Sequence, residues 1–494
     1  MGSATGPRVR RLDDWDDDRL ASLAATHGTP LYVLDLDRIR ENYRRLATAF
    51  PETTCCYAVK ANALGRVLET ILDLGGHLEC AAAGEVYRAF DAGATGDHVQ
   101  YTAVNPPAED LDYVVDRWET NPDLTVVAGA GDTIERLADR GFDGRLALRV
   151  NPGVGAGHHA AVRTGGDATF GIPADTLVET AQDAVDRGFD LVGVHGHVGS
   201  GFLDDDLEAH RRFLSRVVEL AGVVADEVGP LEFVDVGGGF GVPYRPAEDP
   251  LDLATVAGVI QDVLGELDAR IVIEPGRYLV ADAGVLLTRA NTIKKTPSGR
   301  IVGVDAGMTT LARPALYDAH HEIRPIGDPA NHGLTATDVA GDGPDHERVP
   351  QTIAGPVCEG TDVFCTDRRL PRIERGDLLA IGNAGAYGYE MASVYNSQPR
   401  PATVTLSAGG SSVARRRERF GDLVRLERFD PADEDSGEPA IDEGPGESAD
   451  EAPNDSTTNE RPGEPITDEA PNDSTTNEGP GEPITDEVDR EGAR

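Results

Sequence analysis

From about residue 30 to 280 the chain alternates short apolar, β-branched runs with longer amphipathic stretches. The runs are PLYVLDL, TCCYAVKA, HVQYTAV, DLTVVAGA, RLALRVNPG, LVGVHGHVGS, LEFVDVGGG and RIVIEPG. Between them lie segments such as DRIRENYRRLATAF and DDLEAHRRFLSRVVELAGVVADEV, whose apolar residues recur every three or four positions. A near-continuous apolar run suits a strand covered on both faces, and the longer period suits a helix that covers it. Strand–helix units repeated over about 250 residues predict an α/β fold, a (β/α)8 TIM-type barrel over residues 35–280. The polar and glycine residues gather at the C-terminal ends of the runs, which is the face where such barrels carry their chemistry.

The pattern changes after residue 280. VLLTRANTIKKTPSGRIVGVDAGM and DLLAIGNAGAY are β-rich, turn-punctuated and poor in helical periodicity. They predict a second, mostly antiparallel β domain over 281–428, with residues 1–34 packing with it. Residues 430–494 contain no aromatic side chain and include a near-perfect repeat, DEAPNDSTTNERPGEPIT at 450–467 and DEAPNDSTTNEGPGEPIT at 468–485. With little apolar area to offset chain entropy, residues 429–494 are expected to form a disordered acidic tail.

Charge narrows the partners. The formal net charge is −42, and residues 430–494 hold 22 acidic and three basic side chains, so the rest of the chain is also acidic. Nucleic acid and anionic membrane surfaces would repel such a protein. Only three of the 45 basic residues are lysines, and with the acidity this suggests a salt-adapted, halophilic protein. The five cysteines do not have zinc-site spacing, and no metal ligand set is apparent. The N-terminus lacks an apolar signal core, and no apolar run is long enough to span a bilayer, so a cytoplasmic location is expected.

One of the three lysines lies in CCYAVKANALG, at the end of a run that reads as a buried strand. Lys60 is either a surface lysine or an amine whose pKa desolvation lowers, suited to form a Schiff base with an aldehyde. In VHGHVGSG (194–201) the histidines alone fit a core role, but the glycine turn with Ser200 suits a phosphate. VDVGGGFG (234–241) is a second glycine-rich strand end. IVIEPGRY (271–278) brings Glu274 and Arg277, a strand-end salt bridge or a carboxylate for a pyridine nitrogen. Lysine, imidazole, two phosphate-type loops and a carboxylate together form the set that pyridoxal 5'-phosphate requires.

YAVKAN, HGHVGS, GGGFG and EPGR resemble, in the same order, the cofactor motifs of the alanine-racemase-like barrel decarboxylases that use pyridoxal phosphate. Downstream, DAGMTTLARPALYDAHHEI, GPVCEGTDVF and GNAGAYGYEMASVYNSQPRP make the diaminopimelate decarboxylases the most similar group, over roughly residues 20–425. The resemblance implies decarboxylation of meso-2,6-diaminopimelate to L-lysine and CO2, the last step of lysine biosynthesis. It implies that Lys60 carries the cofactor, His197 stacks on its ring, and Glu274 faces its nitrogen. Ser200, Gly237, Gly238, Gly239, Pro275, Gly276, Arg277 and Tyr387 would hold the phosphate and ring. Arg277, Arg313, Tyr317 and Tyr387 would contact substrate, Cys358 would donate a proton, and Glu359 would read the distal ammonium. Cys358 and Glu359 would serve the partner's site in a homodimer. The chain departs from the family at Gly360, where serine is usual, and in MTTLARPALY, where the family reads MNDLIRPALY; both changes spare the assigned residues. The competing readings are an ornithine, arginine or carboxylated-polyamine decarboxylase of the same fold, and a non-catalytic cofactor-binding regulatory protein.

Overall fold

The computed structural model describes residues 8–153, 170–197, 199–265, 267–297, 299–327 and 348–427. The repeat segment at 429–494 lies outside these residues.

The first run, Leu31–Asp35 (β1), is followed by Thr54–Ala58 (β2), His77–Cys80 (β3), Val99–Tyr101 (β4), Thr125–Ala128 (β5), Arg145–Asn151 (β6), Ile172–Pro173 (β7), Asp190–His195 (β8), Phe233–Asp235 (β9) and Arg270–Ile273 (β10). Eight of these pair in parallel in the order β5-β4-β3-β2-β10-β9-β8-β6, and pairing of β5 with β6 closes the barrel; β7 adds to the outer end of β6. The predicted barrel is therefore present, but its strand list needs two corrections. PLYVLDL is not a barrel strand: β1 lies in the other sheet, antiparallel to Gly284–Thr296 and parallel to Ala402–Ser407. Its place is taken by HLEC (β3), four residues with a glutamate among them, which the apolar pattern passes over. An apolar run shows that a strand is covered on both faces, but not which sheet covers it.

The amphipathic segments supply the covering helices. In Leu207–Val228 the buried residues His210, Phe213, Leu214, Val217, Leu220, Ala221 and Val224 repeat at helical spacing and pack on the barrel. Each fully buried Leu, Val or Phe contributes roughly 1.5–3 kcal/mol. His210 is the exception on this face. Its ring stacks on Phe202 with centroids 4.6 Å apart, and neither ring nitrogen has a hydrogen-bond partner among the described residues. Burial pushes its pKa down to about 4. The unfolded chain, near 6.5, therefore binds the proton first as pH falls, so stability is full above about 6.5 and declines towards pH 4. We expect this group to cost about 2 kcal/mol between pH 8 and pH 5. In urea titrations at the two pH values, His210→Phe should be near wild type at pH 8 and more stable at pH 5. Equal acid sensitivity of the two proteins would contradict the assignment.

The second sheet consists of β1 with Gly284–Thr296 (β11), Gly299–Val304 (β12), Ile323–Ile326 (β13), Arg348–Ala354 (β14), Val363–Pro371 (β15), Leu378–Ile381 (β16), Ala402–Ser407 (β17) and Gly410–Arg415 (β18). Its main order is β15-β14-β12-β11-β1-β17-β18, with β16 also beside β11 and β13 beside β16. Among the described residues only β1–β17 and β12–β14 are parallel pairs in this sheet, so it is mostly antiparallel. The helix Asp17–His27, capped by the Asp16 carboxylate on the Arg19 amide, contributes Leu20, Leu23 and Ala24 to the core under β1 and β11.

Specific polar contacts hold sheet and barrel together. The fully buried Arg38 pairs with Asp282 at 2.7 Å, and Asn42 donates to the same carboxylate at 2.8 Å. Closer to the barrel mouth the Tyr387 amide donates to the Ala61 carbonyl, and the Asn62 side chain donates to the Gly385 carbonyl, both at 2.8 Å. The second pair of bonds sets residues of the β domain directly over the turn that bears Lys60.

Candidate active site

A cavity of about 220 Å³ opens at the C-terminal ends of the barrel strands, where the β domain meets them. Its walls bring together Lys60, His197, Ser200, Gly239, Glu274, Gly276 and Arg277 from the barrel with Arg313, Tyr317 and Tyr387 from the β domain. The barrel residues come from distant points in the chain, and each stands at or just beyond the end of a strand.

Lys60 sits in the single turn Val59–Ala61 that follows β2. Its Nζ is 2.7 Å from Oε2 of Glu79, whose side chain on β3 is almost fully buried. Burial pushes the amine down, but the carboxylates of Glu79 and Glu274 outweigh it and hold Lys60 above the ordinary lysine range. The expected depression of this pKa is thus corrected, because a buried opposite charge at contact distance favours the ammonium form. Glu79 was not anticipated.

Glu274 follows β10 on the cavity floor. Oε1 accepts a hydrogen bond from Gln100 Nε2 at 3.0 Å, and Oε2 is 3.3 Å from His195 Nε2. Burial, then the charge of Glu79, push this carboxyl upward. The glycine run lies against the same strand end. A Cβ on Gly238 would collide with the Glu274 carbonyl oxygen, and Gly237 adopts φ 69°, which disfavours any side chain. The Gly238 N–H donates to His197 Nδ1 at 3.3 Å. Burial, followed by the charge of Lys60, keeps the His197 ring neutral. Pro275 lies between two cavity residues, and the following Gly276 packs against Ala58 and Ala61.

The far wall is cationic. Arg277 donates to the Tyr244 hydroxyl at 2.8 Å and to Ser200 Oγ at 3.1 Å, and its guanidinium lies 4.7 Å from the Tyr387 ring centre. Arg313 lies 4.6 Å from the Tyr244 ring centre and donates to His321 Nε2 at 2.8 Å. His321 in turn meets the Gly382 carbonyl through Nδ1, which fixes its tautomer. Burial would raise the Tyr244 pKa, but the two arginines lower it. Neither guanidinium has a carboxylate within salt-bridge distance among the described residues. Two buried guanidiniums without a carboxylate partner among the described residues thus face one cavity.

Cys358 and Glu359 are not in this cavity. Both are exposed, in the turn between β14 and β15. The Cys358 amide donates to Asn396 Oδ1 at 3.0 Å, and the Tyr395 hydroxyl donates to Glu359 Oε1 at 2.7 Å. Asp362 anchors the turn by accepting the Met308 amide at 2.6 Å and the Val357 amide at 2.7 Å.

The residues present fit pyridoxal phosphate: an amine on the wall, a buried carboxyl on the floor, and a glycine run packed too closely for side chains. Residues 36–281 match the family model described as the pyridoxal-dependent decarboxylase, pyridoxal binding domain. The diaminopimelate decarboxylase of Methanothermobacter thermautotrophicus is 40% identical over 421 residues, covering 82% of this chain and 92% of that one. The crystal structure of diaminopimelate decarboxylase from Helicobacter pylori complexed with L-lysine aligns with TM-score 0.74 and 33% identity, over 83% of this chain and 99% of that one. The enzyme from M. jannaschii, in co-complex with L-lysine, aligns with TM-score 0.74 and 28% identity, over 85% and 96%.

Proposed function

Because the chain belongs to the diaminopimelate decarboxylases, within the pyridoxal-dependent decarboxylase family, we propose residue roles for its cavity in the conversion of meso-2,6-diaminopimelate to L-lysine and CO2. The protein is a pyridoxal-phosphate-dependent decarboxylase. When bound, the cofactor supplies an aldehyde for the substrate amine and a ring that accepts the electron pair left by loss of CO2. Lys60 is assigned to hold it covalently, His197 to cover its ring, and Glu274 to keep its nitrogen protonated. Ser200, Gly237, Gly238, Gly239, Pro275, Gly276, Arg277 and Tyr387 are assigned to its phosphate and ring. Glu79 Oε2, 2.7 Å from Lys60 Nζ, is assigned to take the proton that the amine must lose before it reacts.

The observation that carries the substrate assignment is the pair of guanidiniums without a carboxylate partner among the described residues. Diaminopimelate has a second amino-acid head group, whose carboxylate would satisfy Arg277 and Arg313, with Tyr317 and Tyr387 beside it. Ornithine has only an ammonium there and would leave Arg313 without an anion. Cys358 and Glu359 are exposed and lie outside the cavity of their own chain, which supports a homodimer. There the partner subunit's Cys358 gives a proton to Cα after the Cα–carboxylate bond breaks, and the partner subunit's Glu359 takes the distal ammonium.

Release of CO2 from meso-diaminopimelate, ornithine and arginine, compared under identical conditions, tests the reading. Diaminopimelate should be strongly preferred, and a better rate with ornithine would overturn it. In the same assay Glu359→Asp, which withdraws the carboxylate by about one C–C bond, should lose about tenfold in kcat/KM for diaminopimelate.

A further inference from the structure

The barrel interior directly beneath Glu274 holds a second carboxyl group that the roles above do not use. Asp235 ends β9 and is fully buried. Its two oxygens have different partners: Oδ1 accepts the Gly237 N–H at 2.8 Å, and Oδ2 accepts Gln100 Nε2 at 2.8 Å. The same Gln100 nitrogen also reaches Glu274 Oε1, at 3.0 Å. Gln100 is itself buried, on β4, and β4 is not a neighbour of β9 or β10 in the sheet, so its side chain spans the barrel. His195, Asp235 and Glu274 each present one atom within 4.8 Å of the others.

This arrangement has a physical cost that a neutral double donor relieves. Two carboxyl groups this close in a dry interior cannot both ionise unless something donates to each of them. Burial and the charge of Glu274 push Asp235 upward, and burial pushes Glu274 upward as well. Lys60 and Glu79 on the β2 turn and β3, Cys56 on β2, Arg149 on β6, and His195 with His197 at β8 also face this pair. Glu274 and Asp235 also meet directly through a side-chain hydrogen bond, and without the amide that contact would hold the pair unopposed. That would draw an oxygen of Glu274 towards Asp235 and away from the cavity. It would also shift the acceptor that ties down Gly237.

We propose that Gln100 and Asp235 are positioning residues: the Gln100 amide, bridged between the two carboxyl groups, holds Glu274 facing the cavity and couples it to the glycine run at 237–239. One brace thus sets the ring-nitrogen contact and the phosphate loop in a common register. The proposal rests on the assignment of Glu274 to the cofactor ring.

The test uses the holoenzyme and follows loss of the cofactor's visible absorbance during dialysis. Gln100→Met keeps the side-chain length and removes the donor. It should weaken cofactor retention about tenfold and lower kcat by a similar factor. Gln100→Met combined with Asp235→Asn should recover most of the loss, because the amide introduced at position 235 can donate to Glu274 while its own oxygen still accepts the Gly237 N–H. A purely structural role for Gln100 predicts no such rescue. Unchanged retention in Gln100→Met, or a double variant worse than the single one, overturns the proposal. Should Gln100→Met fail to fold, Asp235→Asn alone decides. Its amide would face the Gln100 donor and weaken retention about fivefold, and unchanged retention overturns the proposal. Glu274→Gln, run in parallel, separates the two levels. If it retains cofactor and activity, the reading of Glu274 fails; if it is impaired while Gln100→Met is not, only the brace fails.

Discussion

Replacing Lys60 with arginine should abolish the visible absorbance of the covalently held cofactor and reduce decarboxylation on the order of a thousandfold or more. The substitution isolates one property. Arginine keeps the positive charge, so Glu79 retains an ion-pair partner across the 2.7 Å contact and Glu274 keeps the same field. The Lys60 side chain is 39% exposed into the cavity, so the larger head has room without disturbing β2 or β3. What is lost is the capacity to become a neutral amine, because a guanidinium stays protonated in a protein and does not condense with an aldehyde. The thermal midpoint should therefore stay close to that of cofactor-free wild type while absorbance and CO2 release disappear. Retention of both would remove Lys60 from its assigned role.

Mixing two inactive variants should restore activity. Lys60→Ala removes the residue proposed to hold the cofactor in a chain's own cavity, and Cys358→Ala removes the donor that, in the proposed homodimer, the chain offers to its partner. Each homodimer should be inactive. In a heterodimer one cavity lacks both groups and the other has both, and random pairing makes half of all dimers mixed, so co-expression should give about one quarter of wild-type activity. The basis is geometric: Cys358 lies on an exposed turn held by Asp362 and Asn396, and it does not line the cavity of its own chain. A mixture that stays inactive, although exchange of subunits is demonstrated by differently tagged chains, would place the proton donor elsewhere.

The parts of the site that were legible in the sequence share one property: their signal is local. YAVK, HGHVGS, GGGFG and EPGR each place a distinctive residue type directly after an apolar run, and strand ends are where a barrel does its chemistry. The structure gathers Lys60, His197, Ser200, Gly239, Glu274 and Arg277 around one cavity. The residues that were missed share the opposite property. Glu79, Gln100 and Asp235 are single polar side chains inside short strands, and Tyr244 and His321 lie in connecting segments. A weak signal was available: a charged or amide residue at a position that the strand period assigns to the interior must have a buried partner. The partner itself cannot be read that way, because Glu79 meets Lys60 across 19 residues, while Gln100 meets Asp235 across 135 and Glu274 across 174.

By itself the sequence determined the chemistry on offer and the repeating units that carry it, because side-chain type and the periods of strand and helix are properties of short segments. Tertiary structure decided the assembly. It sent β1 to the β domain and admitted HLEC to the barrel, since strand partners are chosen by closure and by which faces remain to be covered. It also reversed the expected charge preference of Lys60. Desolvation follows from position in a strand, but the opposing field of Glu79 exists only once β3 lies beside β2 and a buried carboxylate stands 2.7 Å from the amine. Interactions that fall off with distance, in a medium that screens them poorly, are set by the closed barrel rather than by the order of residues along the chain.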